Sequence, residues 1–114
     1  LCKMRFFGFY LITLLLITSC TYNELLICET DAPSFSHCVM PIFTDHCISC
    51  HFHENSFGIM PLTNFTEIQD KIINGTIIES INRELGFMPK NGERLSVEQI
   101  LIIEKWYENG TPNN

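Results

Sequence analysis

Cys47-Ile48-Ser49-Cys50-His51 is a C-x-x-C-H run, the pattern by which a chain takes up a c-type haem. Two thiols three positions apart can each add to one vinyl group of a porphyrin, and the adjacent imidazole can then bind the iron as proximal ligand. The expectation from these residues is one covalent haem c held by Cys47 and Cys50, with His51 on the metal. Zinc is a competing reading, since Cys47, Cys50, His51 and His53 offer four donors in seven residues. Structural zinc sites, however, usually draw their ligand pairs from two separate segments. A thioredoxin-like redox pair would want a βαβ pattern around it, and none is visible.

The residues before this run read as a targeting segment. Lys3 and Arg5 precede an apolar block, Phe6–Ile17, and then Thr18-Ser19-Cys20. The block is shorter than the roughly 20 residues a spanning helix needs, so a secretory signal is expected over 1–19. Ile17-Thr18-Ser19-Cys20 resembles a bacterial lipobox, which implies cleavage before Cys20 and lipid on its thiol. Met4 is a candidate initiator, in which case Cys2 would not belong to the protein. Residues 20–34, polar and without periodicity, read as a tether, and 35–114 as one small domain. A domain of this size commonly needs a cross-link, metal or cofactor to be stable.

The 114-residue chain carries 7 basic and 13 acidic residues, a net charge of −6. Loss of the leader would remove two basic residues, leaving five against 13, or −8. Such acidity excludes a nucleic-acid partner on electrostatic grounds and suits either a solvated surface or a basic protein partner. Of the six cysteines, Cys28 and Cys38 are left once Cys2, Cys20, Cys47 and Cys50 are assigned. In an oxidising compartment they could close a ten-residue link; the alternative is two unpaired thiols. Among the other histidines, His46 reads as a surface residue and His53 as a loop residue. His37 would reach iron only if its segment folded over the opposite haem face.

The periodicity is helical throughout. Pro41 suits the first turn of a short helix leading through Asp45 and His46 to Cys47. A loop follows to Pro61. Phe65, Ile68, Ile72 and Ile73 then mark a helix capped by Thr63 or Asn64 and ended by Asn74-Gly75. Ile78, Ile81 and Leu85 mark a second over about 76–84. Ser96 with Gln99 forms a capping box that opens the last helix, which closes on Gly110 with Pro112 beyond. Its apolar face is expected to include Ile100, Ile103 and Tyr107, widened by Leu101, Ile102 and Trp106. The fold class is all-α, about four short helices around one haem.

Met88 is the expected sixth ligand. It stands in Gly86-Phe87-Met88-Pro89, where glycine permits a sharp turn and proline holds the preceding residue extended. Met60 follows His51 by only nine residues, and such a loop would have to cross the haem edge directly. Met40, beside Pro41, reads as packing.

Together, the C-x-x-C-H run after Pro41-Ile42-Phe43, the Met88-Pro89 turn and the Leu95-Ser96…Trp106…Gly110 helix resemble small monohaem cytochromes c. The likeness covers about residues 35–112 and is nearest to lipoprotein-anchored bacterial members with a Met-Pro-x-x-Gly loop, here Met88 to Gly92. Many relatives have a second proline where Lys90 stands. The resemblance implies N- and C-terminal helices crossing near the haem, with Trp106 or Tyr107 at the crossing, and His51/Met88 ligation.

The function expected is one-electron transfer by a carrier that is not itself an enzyme, since no catalytic triad, paired carboxylates or phosphate loop is visible. A haem sensor or enzyme subunit with an open sixth position, or a zinc module, are the alternatives. The expected setting is a bacterial cell envelope, with a monomer lipid-anchored and facing the periplasm or exterior, serving redox partner proteins. Thr21 after Cys20, where an aspartate would favour the inner membrane, points to the outer one.

Overall fold

A computed structural model describes residues 28–52 and 60–114. The expected leader, the expected lipidation site Cys20, and His53 lie outside these. The described residues form an all-α domain. A π-helical turn, Phe35–Val39, runs directly into α1, Met40–His46, followed by α2, Phe65–Ile73, α3, Thr76–Asn82, and α4, Val97–Glu108.

Each boundary has a local cause. Ser34 caps the π-helical turn by accepting from the His37 amide, and Pro41 sits in the first turn of α1, where a missing N–H costs nothing. Asn64 caps α2 through the Glu67 amide, while Glu67 reaches back to the Thr63 amide and hydroxyl at 2.7 and 2.8 Å. Those two bonds hold the Glu67 carboxyl below its ordinary pKa. Gly75, at φ 82°, both closes α2 and opens α3, a left-handed conformation that a side chain resists. The Ser96/Gln99 capping box opens α4 as expected.

The core lies where the π-helical turn, α2 and α4 meet. Phe35, Phe65 and Trp106 stack there with ring centroids 5.0 to 6.2 Å apart, within the range of favourable aromatic contact. Trp106 is fully buried, and its indole N–H donates to the Pro112 carbonyl at 2.9 Å. Val39, Phe43, Ile68, Ile72 and Ile103 complete the closed interior.

The helical faces differ in part from expectation. In α4 the buried stripe is Ile102, Ile103 and Trp106, whereas Tyr107 and Leu101 are exposed. In α3 it is Ile77 and Ile81, and Leu85 is 90% exposed beyond the helix end. A three-to-four spacing admits two neighbouring stripes, and packing chose the one facing the core. Both ends of the domain are tied together. Cys28 and Cys38 form a disulfide with Cα atoms 5.5 Å apart, which resolves the pairing the sequence left open. Asn109 donates to the Asp31 carbonyl, and Asn114 accepts from the Phe35 and Ser36 amides.

Candidate functional site

α1 delivers the C-x-x-C-H residues to a tight turn at its C-terminal end. Cys47 is the C-cap, its amide bonded to the Phe43 carbonyl. The turn continues as the Cys50 and His51 amides both donate to the Cys47 carbonyl, at 3.1 and 2.9 Å. Both thiols are free. Their surroundings differ. Cys47 is half-buried and packs against the apolar core, whereas Cys50 is exposed. Burial pushes the Cys47 thiol up from 9.0 to about 11, because a thiolate loses solvation against apolar side chains.

His51 is fixed in orientation. Its Nδ1 lies 2.8 Å from the Met60 carbonyl oxygen, which can only accept, so Nδ1 carries the proton. In the neutral ring this leaves Nε2 with its lone pair. The Leu62 amide in turn donates to the His51 carbonyl at 2.8 Å, binding the turn to the chain that enters α2.

Sequence reasoning missed one partner of this turn. His46, expected at the surface, is half-buried, and its Nε2 meets the Gln99 side-chain nitrogen at 2.9 Å. The signal was weak, because the two residues stand 53 positions apart and Gln99 was already accounted for as a cap. His37 is exposed on the π-helical turn, and Met40 packs against the core as expected.

Met88 stands on the loop between α3 and α4, half-buried, with its amide on the Ser80 carbonyl at 3.0 Å. Arg94 braces this loop. Its guanidinium lies 4.3 Å from the Phe87 ring centroid and donates to the Ile81 and Glu84 carbonyls, each at 3.4 Å, and to Arg83. The loop is therefore anchored by an arginine that spacing arguments gave no reason to select.

No known family, curated protein or solved structure matches the chain. What the fold and site define, among the described residues, is a small all-α domain with one disulfide and a separate pair of cysteines beside an oriented imidazole. These findings correct the sequence reading. No group of three or more His, Cys, Asp or Glu side chains gathers to hold a metal among the described residues, so Cys47, Cys50 and His51 do not converge as the zinc reading required, and its fourth donor, His53, lies outside them. The disulfide joins Cys28 to Cys38, and the two thiols of the 47–51 run occupy different environments, one against the core and one in solvent. On these findings the recognition as a small monohaem cytochrome c is withdrawn. So are the haem c cofactor on Cys47, Cys50, His51 and Met88, the one-electron-transfer function and the open-haem sensor alternative. The C-x-x-C-H residues themselves stand, as two thiols and an imidazole.

Proposed function

We propose that the Cys47–His51 turn is the working site of the protein and acts through its two thiols, as a reductant of disulfides in partner proteins. One observation carries this reading: a single turn sets Cys47 against the core and Cys50 in solvent, three residues apart, with the oriented imidazole of His51 next in the chain. Two cysteines at this spacing can close to a disulfide and reopen by thiol–disulfide exchange.

The environment sets the direction of the chemistry. Oxidising thiol pairs owe their potential to a stabilised thiolate, often at a helix N-terminus. This turn lies at a helix C-terminus, where the macrodipole disfavours negative charge, and the Cys47 thiol is pushed up. A dithiol without thiolate stabilisation gives up its electrons more readily. Cys50, the exposed member, attacks a partner disulfide as the thiolate, expelling one partner thiolate and forming a mixed disulfide. Cys47 then loses its proton and attacks the Cys50 sulfur, expelling the second. The net change is a Cys47–Cys50 disulfide and two partner thiols, with two electrons and two protons transferred. The His51 Nε2 lone pair is a proton acceptor one residue from Cys50.

In this reading the protein is a carrier of reducing equivalents rather than an enzyme with its own substrate. It works as a monomer in a bacterial cell envelope, held to the membrane through a lipid on Cys20, the outer membrane being preferred on the Thr21 signal. Its acidic surface suits basic partners. Among the described residues no helix is long and apolar enough to cross a membrane.

The test is alkylation and mass spectrometry of the protein taken from its native envelope, equilibrated across glutathione buffers. The expected result is reversible gain and loss of two hydrogens at Cys47 and Cys50, with Cys28–Cys38 unchanged. Thiols already blocked as thioethers, accompanied by porphyrin absorption, would overturn the proposal and restore covalent haem attachment.

A further inference from the structure

The contact between His46 and Gln99 contains a proton conflict. Gln99 is the third residue of α4, and its Oε1 accepts from the Ser96 amide at 2.9 Å as half of the capping box. Its Nε2 must then be the end facing His46. That nitrogen is donor only, so the His46 Nε2, 2.9 Å away, must be unprotonated and accept. A protonated ring would set N–H against N–H. Turning the Gln99 amide over to relieve this would place its NH2 against the Ser96 amide and undo the cap. Protonation of His46 therefore breaks either the bond between α1 and α4 or the cap of α4.

Position gives the conflict a consequence. His46 is the last residue of α1 and immediately precedes Cys47. Among the described residues, no carboxylate pairs with His46. Asp45 on α1 and Glu98 on α4 are exposed. Further along α4, Glu104 is taken up by Asn82, and Lys105 pairs with Glu108. His51, in the following turn, directs its Nδ1 to Met60.

We propose that His46 is a proton-sensitive positioning residue for the thiol turn: neutral, it ties the end of α1 to the first turn of α4 through Gln99, and protonated, it releases Cys47 from the core. The sign follows from the bond. It needs the neutral ring, so the tie is present at higher pH and lost on the acid side, where the ring gains a proton. In an acidified envelope the half-buried thiol becomes accessible, which brings the resolving cysteine of the proposed exchange within reach. The functional meaning rests on the dithiol reading, whereas the latch itself does not.

Two readouts on the full chain separate these. The first is amide hydrogen exchange in the first turn of α4, expressed as protection relative to the unstructured rate, from pH 5 to 8. Loss of one neutral hydrogen bond corresponds to a fall in protection of about fivefold, expected in the wild type as pH drops. His46→Gln, whose amide oxygen can accept from Gln99 and does not titrate, should stay protected throughout. Gln99→Glu keeps an oxygen for the Ser96 amide and offers a second to the protonated ring, so its protection should rise as pH falls. Protection independent of pH in the wild type, or the same pH profile in all three, would overturn the latch. The second readout is the ratio of Cys47 to Cys50 modification by a methanethiosulfonate reagent. It should rise about fivefold at low pH in the wild type and stay flat in His46→Gln. Blocked thiols together with pH-dependent protection would sink the dithiol reading and leave the latch standing.

Discussion

A thiol held against apolar side chains keeps its proton to a higher pH than one in water, and this governs Cys47 more than its place in a motif does. Its thiol is pushed up to about 11, while in the unfolded chain it would titrate near 9.0. Below the lower value both states hold the proton and the contribution to stability is complete. Between the two the unfolded chain releases a proton that the folded chain retains, so stability falls as pH rises through about 11. Denaturant unfolding at pH 8, 9, 10 and 11 should therefore show a steeper loss in the wild type than in Cys47→Ala, where this group is absent. Parallel losses would mean that Cys47 is not buried as described. At the same scale, His51 shows how an imidazole is oriented before any partner arrives, through a backbone carbonyl nine residues away.

At the scale of elements, the short helices depend on their ends. An isolated helix of seven to twelve residues is marginal in water, so caps and junctions carry a large share of the specification. The α2 to α3 junction turns on Gly75, whose φ of 82° opposes any residue with a Cβ. No atom lies within 4 Å of where that Cβ would stand, so the cost of substitution is conformational alone. Gly75→Ala should lose about 1 kcal/mol, seen as a lower denaturation midpoint with an unchanged denaturant slope. A neutral result would show that the junction relaxes into another turn. Among the described residues, the ion pairs Lys71–Asp70, Arg83–Glu79 and Lys105–Glu108 each have an acidic partner more than half exposed and contribute little by comparison.

At the scale of the whole described domain, stability rests on a small aromatic and aliphatic core closed by the Cys28–Cys38 cross-link. Phe35, Phe65 and Trp106 bring together segments from both ends of the described chain, and Cys28–Cys38 fixes the approach to the first of them. The link closes a ten-residue loop, for which loop entropy gives about 2–3 kcal/mol. The Cys28→Ser/Cys38→Ser double variant should unfold at correspondingly lower denaturant, measured against wild type under non-reducing conditions. An unchanged midpoint would mean that the packing of Pro33 and Phe35 suffices to hold this end.

The all-α class, the positions of α2 and α4 and the Ser96/Gln99 cap were legible in the sequence, because capping and 3.6-residue periodicity are local and act within one turn. So was the proximity of Cys47, Cys50 and His51, which five consecutive residues cannot avoid. The pairing of Cys28 with Cys38, the burial of Trp106 rather than Tyr107, the bracing of the Met88 loop by Arg94 and the bond from His46 to Gln99 were decided by tertiary structure. Each joins groups whose separation is set by how the helices pack, and the helical repeat leaves adjacent faces equally available until a core forms on one of them. The motif carried an expected cofactor, whereas the folded environment assigned one thiol to the core and the other to solvent, a distinction made by burial that no local pattern encodes.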